Sequence, residues 1–251
     1  MTIIYGPSGR AKEYCELAAN LYRGCGHGCT YCYAPAATRT DVNKFHHEPQ
    51  PRKDVISKLS KQLEKNTFKG PVLLCFTCDP YQQINEKYGL AGKAIRLLKK
   101  HNVLIEVLTK GGRRAEADLH LLGSHDKVGA TLTFINPTDS LKWEPGAALP
   151  AERFVMLKKA KSMGIVTWAS LEPVIDPEQS LEIIRQTHEF VDLFKVGTLN
   201  HHPYANGTNW PKFARDAVAL LQKLDCSYYI KKDLRVYFES GTFETKTKAT
   251  C

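Results

Sequence analysis

The stretch Asn-Leu-Tyr-Arg-Gly-Cys-Gly-His-Gly-Cys-Thr-Tyr-Cys-Tyr-Ala-Pro, residues 20–35, brings together three thiols, at Cys25, Cys29 and Cys32. The intervals of three and then two residues allow one short loop to surround a cuboidal iron-sulfur cluster, with one thiolate on each of three irons. The loop offers no protein ligand for the fourth iron, which is the arrangement needed when a small molecule must bind the cluster. The stretch therefore predicts a cluster loop with an open iron.

The glycines of this loop agree with that prediction, and its thiols have two other interpretations. Gly24, Gly26 and Gly28 supply the backbone freedom that a tight loop requires. A structural zinc site, with His27 as a ligand, is an alternative, but such sites are typically closed sets of four ligands, often two Cys-x-x-Cys pairs, and no second pair follows at the usual spacing. A disulfide scaffold is disfavoured because 8 cysteines are sparse in 251 residues and the first residues do not resemble a signal peptide. We expect reduced thiols in a cytoplasmic protein.

Composition favours a soluble protein with one large core. A hydrophobic content of 43% in 251 residues is enough for a single domain, and no apolar run approaches the length of a membrane span. Lys and Arg outnumber Asp and Glu by 35 to 26, a formal charge of +9 that is compatible with a nucleic-acid partner. Many of these cations fall on predicted helix faces, where a solvated surface is the alternative interpretation.

Apolar strand-like runs alternate with helix-like periods along most of the chain. About six strand-then-helix units are predicted, which indicates an α/β fold with parallel strands. The first strand precedes the cluster loop, and the other five are expected at residues 72–76, 103–108, 128–134, 165–171 and 193–196. Functional residues should follow these strands, because ligands of parallel α/β folds bind at the carboxyl ends of the strands.

Other segments are predicted to be peripheral. Residues 39–53 are polar and suggest a surface connection. We expect a core barrel over residues 1–225 and a C-terminal extension over 226–251, with a small extra strand within residues 228–238 and a disordered tail from residue 239.

The Cys-x3-Cys-x2-Cys loop, with an aromatic residue before its last cysteine, resembles the radical S-adenosylmethionine (radical SAM) superfamily. The wider stretch of residues 20–33 resembles its spore photoproduct lyase-like branch, also described as DNA repair photolyase-like. The resemblance implies a partial (β/α)6 TIM-type barrel in which Cys25, Cys29 and Cys32 hold a 4Fe-4S cluster. It further implies a lyase-like or transferase-like enzyme that cleaves S-adenosylmethionine reductively to a 5'-deoxyadenosyl radical, which abstracts hydrogen from a nucleic-acid base or lesion. The electron would come from a small protein such as flavodoxin or ferredoxin.

The resemblance also suggests cofactor contacts at the strand ends. Thr77 and Asp79, which follow a buried strand at the level of the cluster, are expected to contact the cofactor, with Asp79 receiving the amino group of S-adenosylmethionine. Lys110 would pair with its carboxylate. A turn residue before Pro80 and a solvated surface lysine are the respective alternatives. Four further contacts are expected, with ordinary packing or strand placement as the alternative: Tyr31 beside the cofactor, Thr133 at the ribose, Glu172 as a hydrogen-bond acceptor, and Val196 beside the adenine.

Candidate catalytic groups are Cys78, Cys75 and Tyr33. A thiol can return a hydrogen atom to a substrate radical, and the resembled lyase uses a cysteine near its second strand end, although neither cysteine here aligns without a shift. Because side chains alternate along a strand, Cys75 and Cys78 should face opposite ways while the strand continues, so Cys78 is the preferred donor and Cys75 has packing as its alternative. Tyr33 is a candidate hydrogen relay. His201 and His202 are expected at the barrel mouth, where a polar loop is the alternative.

Other functions remain open from the sequence. Radical modification of a peptide or small metabolite would not need basic charge at the barrel mouth. A non-catalytic cluster-binding or zinc-binding module would hold metal without cleaving a cofactor. The sequence leaves open the substrate and whether S-adenosylmethionine is consumed or regenerated.

Overall fold

Strands and helices alternate through a computed structural model of the chain, which describes residues 2–200 and 202–238. The strands are β1 (Ile4–Tyr5), β2 (Leu17–Ala19), β3 (Tyr22–Arg23), β4 (Gln50–Pro51), β5 (Val72–Leu74), β6 (Ile105–Thr109), β7 (Lys127–Thr131), β8 (Val166–Leu171), β9 (Leu193–Val196) and β10 (Tyr228–Ile230). The α-helices are α1 (Ala34–Thr38), α2 (Val42–His47), α3 (Val55–Lys65), α4 (Ile84–Tyr88), α5 (Leu90–Lys100), α6 (Pro137–Trp143), α7 (Pro150–Ser162), α8 (Pro177–Thr187), α9 (Trp210–Lys223) and α10 (Lys232–Arg235). Three 3-10 helices span Gly9–Glu13, Gly112–Leu121 and Pro203–Gly207.

Eight of these strands form one sheet in the order β1-β2-β5-β6-β7-β8-β9-β10. All neighbours in it are parallel except β1, which pairs antiparallel with β2. The predicted α/β single-domain fold with parallel strands is therefore confirmed. All six predicted strands are present, and β10 adds a further parallel strand beside β9 within residues 228–238. The boundary after residue 225 stays a prediction.

Side-chain alternation divides the sheet into a helix-facing side and an inner side. On β8, Ala169 packs with the core beneath the helices, whereas Trp168 belongs to a separate inner cluster with Ala18 and Leu73. The indole of Trp168 occupies the space over Gly129 of β7, where an added Cβ would lie 2.3 Å from the ring. The inner side of the sheet is thus filled beneath the strand ends, and open space begins above it.

Three local predictions differ from the structure. Residues 39–53 are more than a surface connection: they contain α2, with Phe45 buried, and β4, which pairs with β3. The helix of the unit that follows the predicted strand at residues 103–108 is the 3-10 helix Gly112–Leu121 and not an α-helix. Gly24 and Gly28 adopt positive φ angles of 79° and 61°, but Gly26 does not.

Two predictions fall outside the described residues, namely the placement of His201 and the disordered tail from residue 239. Among the helices that the structure describes, none has both the length and the apolar character that crossing a membrane requires.

Candidate active site

A cavity of about 690 Å³ lies at the carboxyl ends of the parallel strands. Eleven of the thirteen residues predicted for the site line it: Cys25, Cys29, Tyr31, Cys32, Tyr33, Cys75, Thr77, Cys78, Asp79, Lys110 and Glu172. A volume of this size is in the usual range for small-molecule and cofactor sites. The sheet therefore gathers these eleven residues from four separate segments of the chain, 25–33, 75–79, 110 and 172, around one space.

The cluster loop connects β3 to α1, and hydrogen bonds to two other segments of the chain hold it in place. Gln82, which is fully buried, accepts a hydrogen bond from the Gly26 amide (2.8 Å) and donates to the Gly24 carbonyl (3.2 Å). The Cys25 amide donates to the Phe45 carbonyl (3.0 Å), which lies so close to Gly24 that an added Cβ would be 2.5 Å from it. Sequence reasoning assigned no role to Gln82, since nothing local to it signals a contact 56 residues away.

The three thiols of this loop lie in one wall of the cavity, and their role as ligands of a 4Fe-4S cluster stays a prediction. All three face the same cavity, and Cys25 and Cys29 are 9% and 8% exposed. Burial raises the pKa of Cys29 to about 12, while the Lys110 ammonium acts in the opposite direction. A cation beside buried thiols offsets part of the charge that thiolate ligands would carry. In the absence of a metal, burial therefore favours the protonated thiols, and Lys110 offsets only part of that effect at Cys29.

Asp79 is a hub of hydrogen bonds within the protein. Its Oδ1 accepts from the Tyr81 amide (2.8 Å) and the Thr109 hydroxyl (2.6 Å), and its Oδ2 accepts from the Lys110 amide (2.7 Å). His27 Nδ1 lies 3.5 Å from Oδ2. The carboxylate therefore connects the ends of β5 and β6 with the cluster loop, and its contact with the amino group of S-adenosylmethionine stays a prediction.

A buried ion pair lies next to Lys110 and Tyr31. Glu144 and Arg153 are each 1% exposed and form a salt bridge, and Glu144 also accepts from the Tyr31 hydroxyl. The Lys110 ammonium lies 5.5 Å from the centre of the Tyr31 ring. Burial acts to lower the pKa of Lys110. The electrostatic effects of nearby Cys29 and Glu144 act in the opposite direction and are larger, so the pKa of Lys110 is raised. Lys110 is thus held as a cation at the cluster end of the cavity.

Glu172 is the centre of a second polar network at the opposite end of the cavity. It accepts from the Tyr14 hydroxyl (2.6 Å), from Asn200 Nδ2 (3.3 Å) and from the ammonium of Lys231, which is 2% exposed. The Lys231 ammonium lies 4.1 Å from the centre of the Tyr14 ring. Sequence reasoning assigned no role to Tyr14, Asn200 or Lys231. Lys231 directly follows β10, so placing residues 228–230 in the main sheet would have identified it.

Cys75 and Cys78 both line the cavity, which corrects the expectation that they face opposite ways. Strand β5 ends at Leu74, so the alternation on which that expectation rested stops before either cysteine. Thr77 lies between them, and its amide donates to Asn20 Oδ1 (2.9 Å).

Tyr33 is 54% exposed at the rim, and its hydroxyl donates to the Phe76 carbonyl (3.2 Å).

Two predicted residues do not line the cavity. Val196 is fully buried in the core on the helix-facing side of β9, and Gly197, one residue later, approaches Glu172 instead. Thr133 is also fully buried, with its hydroxyl 3.4 Å from that of Tyr31. His202 packs against Trp143, with ring centres 5.4 Å apart.

Comparison with known protein families gives one domain match. A family model described as the Radical SAM superfamily matches residues 19–191, which include the cluster loop and strands β5 to β8.

Two natural proteins that are similar in sequence are described as uncharacterized. An uncharacterized protein of Mycobacterium tuberculosis is 26% identical over 170 residues, covering 64% of this chain and 50% of the relative. An uncharacterized protein of Methanocaldococcus jannaschii is 26% identical over 189 residues, covering 74% of this chain and 71% of the relative. The chain spans about half the length of the mycobacterial relative that it matches.

Solved structures of two enzymes share the fold. A spore photoproduct lyase variant with bound AdoMet and dinucleoside spore photoproduct has a TM-score of 0.67 at 13% identity, covering 89% of this chain and 78% of that one. SuiB of Streptococcus suis bound to S-adenosylmethionine has a TM-score of 0.63 at 11% identity, covering 91% of this chain and 53% of that one. At these identities the likeness shows the fold.

Proposed function

This chain belongs to the radical SAM superfamily, and on that premise we propose that it is an enzyme that uses a 4Fe-4S cluster, held by Cys25, Cys29 and Cys32, to abstract hydrogen from a substrate in the cavity. The observation that carries the proposal is that these thiols share one cavity of about 690 Å³ with Lys110 and with two further thiols. When bound, the cluster and S-adenosylmethionine supply one-electron cleavage of the sulfonium carbon–sulfur bond and a 5'-deoxyadenosyl radical.

The residues of this chain position the reacting groups and limit access of water. Asp79 holds the backbone of Lys110 in place, so that the ammonium is directed to the cluster end, where it can pair with the cofactor carboxylate. Tyr31 and Tyr33 cover the last cluster cysteine on either side in the cavity wall. Cys78 and Cys75 carry the S–H groups that can return a hydrogen atom to a substrate radical, with Tyr33 as a relay at the rim. Holding donor and substrate in one enclosed space favours hydrogen transfer over side reactions.

A nucleic-acid base or lesion is the substrate that we favour. The formal charge of +9 suits a polyanion, and Arg10, whose side chain is 52% exposed and pairs with Asp233 (3.0 Å), is among the residues that line the cavity. The spore photoproduct lyase structures that share this fold support the same choice, since one contains a dinucleoside spore photoproduct.

A peptide substrate is the second candidate. SuiB, which shares the fold over 91% of this chain with a TM-score of 0.62, has been solved bound to its precursor peptide SuiA. The two candidates differ in salt dependence. The association constant for ultraviolet-irradiated DNA should fall steeply as salt rises from about 50 to 200 mM if phosphates are contacted. A salt-independent affinity for DNA would favour the peptide.

Anaerobic cofactor cleavage tests the enzyme proposal. The cluster is reconstituted, S-adenosylmethionine and dithionite are added, and 5'-deoxyadenosine is quantified. We expect product from the wild type and background levels from Cys29→Ala, which removes a cluster ligand. Cys15→Ala is the matched control, because Cys15 is equally buried but bonds to the Pro71 carbonyl outside the cavity, so product formation should persist. An intact cluster that gives no product, and whose electron paramagnetic resonance spectrum does not respond to S-adenosylmethionine, would refute the proposal.

A further inference from the structure

The segment Cys75-Phe76-Thr77-Cys78 is a Cys-x-x-Cys sequence that begins directly after β5. Both cysteines are buried, at 5% and 6% exposure, yet both line the cavity rather than the core alone. Reactive thiols differ from inert buried ones in having access to a reactant, and the Cys-x-x-Cys spacing is one that redox-active proteins use. The location of this pair therefore makes both thiols reachable by a small molecule that enters the cavity.

The turn between the two cysteines is held by one side chain. Asn20 Oδ1 accepts hydrogen bonds from the amides of both Phe76 and Thr77, each at 2.9 Å. Asn20 is itself 4% exposed and donates to the Tyr5 hydroxyl (2.8 Å). This arrangement holds the turn in place and leaves Cys75 and Cys78, three residues apart, both in the cavity wall, where each thiol affects the pKa of the other.

The two thiols are chemically unequal. Burial raises the pKa of Cys75, and the hydrogen bond with Cys78 adds to that effect. Burial also acts to raise the pKa of Cys78, but the hydrogen bond from Cys75 and those from the Tyr22 and Leu21 amides outweigh it, so its pKa is lowered. The difference in direction makes Cys78 the more easily deprotonated thiol of the pair, which suits it to attack, and leaves Cys75 as the resolving cysteine.

We propose that Cys75 and Cys78 form a dithiol/disulfide redox couple in the wall of the cavity. Oxidation by a low-molecular-weight disulfide proceeds in two exchanges. The Cys78 thiolate attacks one sulfur of the external disulfide and releases one thiolate from it. The Cys75 sulfur then attacks the Cys78 sulfur of the mixed disulfide and releases the second. Two electrons pass to the external disulfide, and the two protons lost by the cysteines balance the two thiols released.

The couple has a consequence for catalysis, which rests on the proposed function. The disulfide form carries no S–H bond, so oxidation removes the hydrogen donor from the cavity while the cluster loop keeps its ligands. The reduced form restores the donor. The redox state of the couple would thus decide whether a substrate radical can be quenched.

The test follows the thiols by mass spectrometry in the cluster-loaded protein under anaerobic conditions. The protein is equilibrated with mixtures of bis(2-hydroxyethyl) disulfide and 2-mercaptoethanol, denatured in N-ethylmaleimide, and digested with trypsin. The tryptic peptide of residues 70–87 contains Cys75 and Cys78 as its cysteines, whereas the three cluster thiols fall in the peptide of residues 24–39. We expect the first peptide to change, in one transition, from carrying two maleimides to carrying none and being two hydrogens lighter, and dithiothreitol should reverse the change.

Variants separate an internal disulfide from simple adduct formation. Cys75→Ser and Cys78→Ser should each abolish the transition and leave a mixed disulfide on the remaining cysteine. Cys15→Ser, which removes a buried thiol outside the cavity, should leave the transition in place. A wild-type peptide that keeps both maleimides at the highest disulfide concentration, or that carries mixed disulfides without an internal link, would overturn the inference. Formation of 5'-deoxyadenosine is measured separately, so the couple and the enzyme proposal can fail independently.

Discussion

At the scale of single residues, the two carboxylates predicted to contact ligands are both engaged by the protein itself. Asp79 accepts three short hydrogen bonds near the cluster loop, and Glu172 accepts from Tyr14, Lys231 and Asn200 at the other end of the cavity. Burying a carboxylate without such partners would be costly. Lys110, whose backbone amide Asp79 holds, is consequently the charged group best placed to meet a ligand, since the ammonium of Lys231 is itself paired with Glu172.

Asp79→Asn tests the structural part of this interpretation. An amide at residue 79 would direct NH2 towards at least one existing donor, leaving a buried polar group unsatisfied. We expect the free energy of unfolding to fall by about 1–3 kcal/mol in urea titrations without any cofactor. Asp54→Asn is the control, since the Asp54 side chain is 59% exposed and its loss should change stability by less than about 0.5 kcal/mol. Equal stabilities would mean that Asp79 is not a structural hub.

His27 should make the stability of the cluster-free protein depend on pH. Burial lowers the pKa of His27 from 6.5 to about 4, although the Asp79 carboxylate acts in the opposite direction. Between pH 6.5 and about pH 4, His27 is therefore protonated in the unfolded chain but neutral in the folded chain. Its contribution to stability, which is fully present above pH 6.5, is lost as the pH falls to about 4. The loss should be roughly 3 kcal/mol.

The contribution of His27 is isolated by comparing variants. Unfolding free energies measured between pH 7 and 4 should decline less steeply in His27→Gln than in the wild type. His47→Gln, which removes an exposed imidazole, should follow the wild-type slope. Parallel curves for all three proteins would rule out His27 as the source.

At the scale of elements, the position of the site depends on which face of the sheet carries large side chains. Trp168 of β8 fills the inner side of the sheet over Gly129 of β7, and the cavity opens above this layer, where β7 and β8 end. Gly129→Ala would put a methyl group 2.3 Å from the indole, so we expect destabilisation of about 1–3 kcal/mol from overpacking.

Thermal or urea unfolding of Gly129→Ala measures this effect. Gly123→Ala is the matched control, because its added Cβ would meet nothing closer than Asp126 Oδ2 at 3.9 Å. If both variants unfold like the wild type, the indole must be free to shift, and the inner layer is less tightly packed than the structure indicates.

At the scale of the whole molecule, β10 connects the C-terminal extension to the site. Tyr228 and Ile230 are 1% and 0% exposed, and Lys231 completes the network around Glu172. Nothing local in residues 226–238 indicates this role, and the boundary predicted after residue 225 separates these residues from the barrel.

Truncation tests whether that boundary marks an independent unit. A chain ending at residue 225 should lose at least about 3 kcal/mol of stability relative to one ending at residue 238, because the buried apolar side chains of Cys226, Tyr228, Ile230 and Leu234 are removed and Glu172 loses its cationic partner. Urea unfolding of the two chains gives the comparison. Equal stabilities would support a barrel that folds without the extension.

The local sequence was sufficient wherever spacing along the chain carries the information. The intervals between Cys25, Cys29 and Cys32 predicted a cluster loop, and runs such as residues 72–76 located the strands, because backbone periodicity depends on neighbouring residues. The resemblance, applied at the carboxyl ends of the strands, suggested Asp79, Lys110 and Glu172, all of which line the cavity.

Only the tertiary structure decided which side chains meet. It showed that Gln82 fastens the cluster loop, that Lys231 reaches Glu172 from 59 residues away, that Val196 faces the helices, and that Cys75 and Cys78 share the cavity because β5 ends before them. These contacts depend on where each strand stops and how the sheet brings distant segments together. The periodicity of a sequence predicts the elements, but the position of the last strand residue and the partners across the sheet are set by packing of the whole chain.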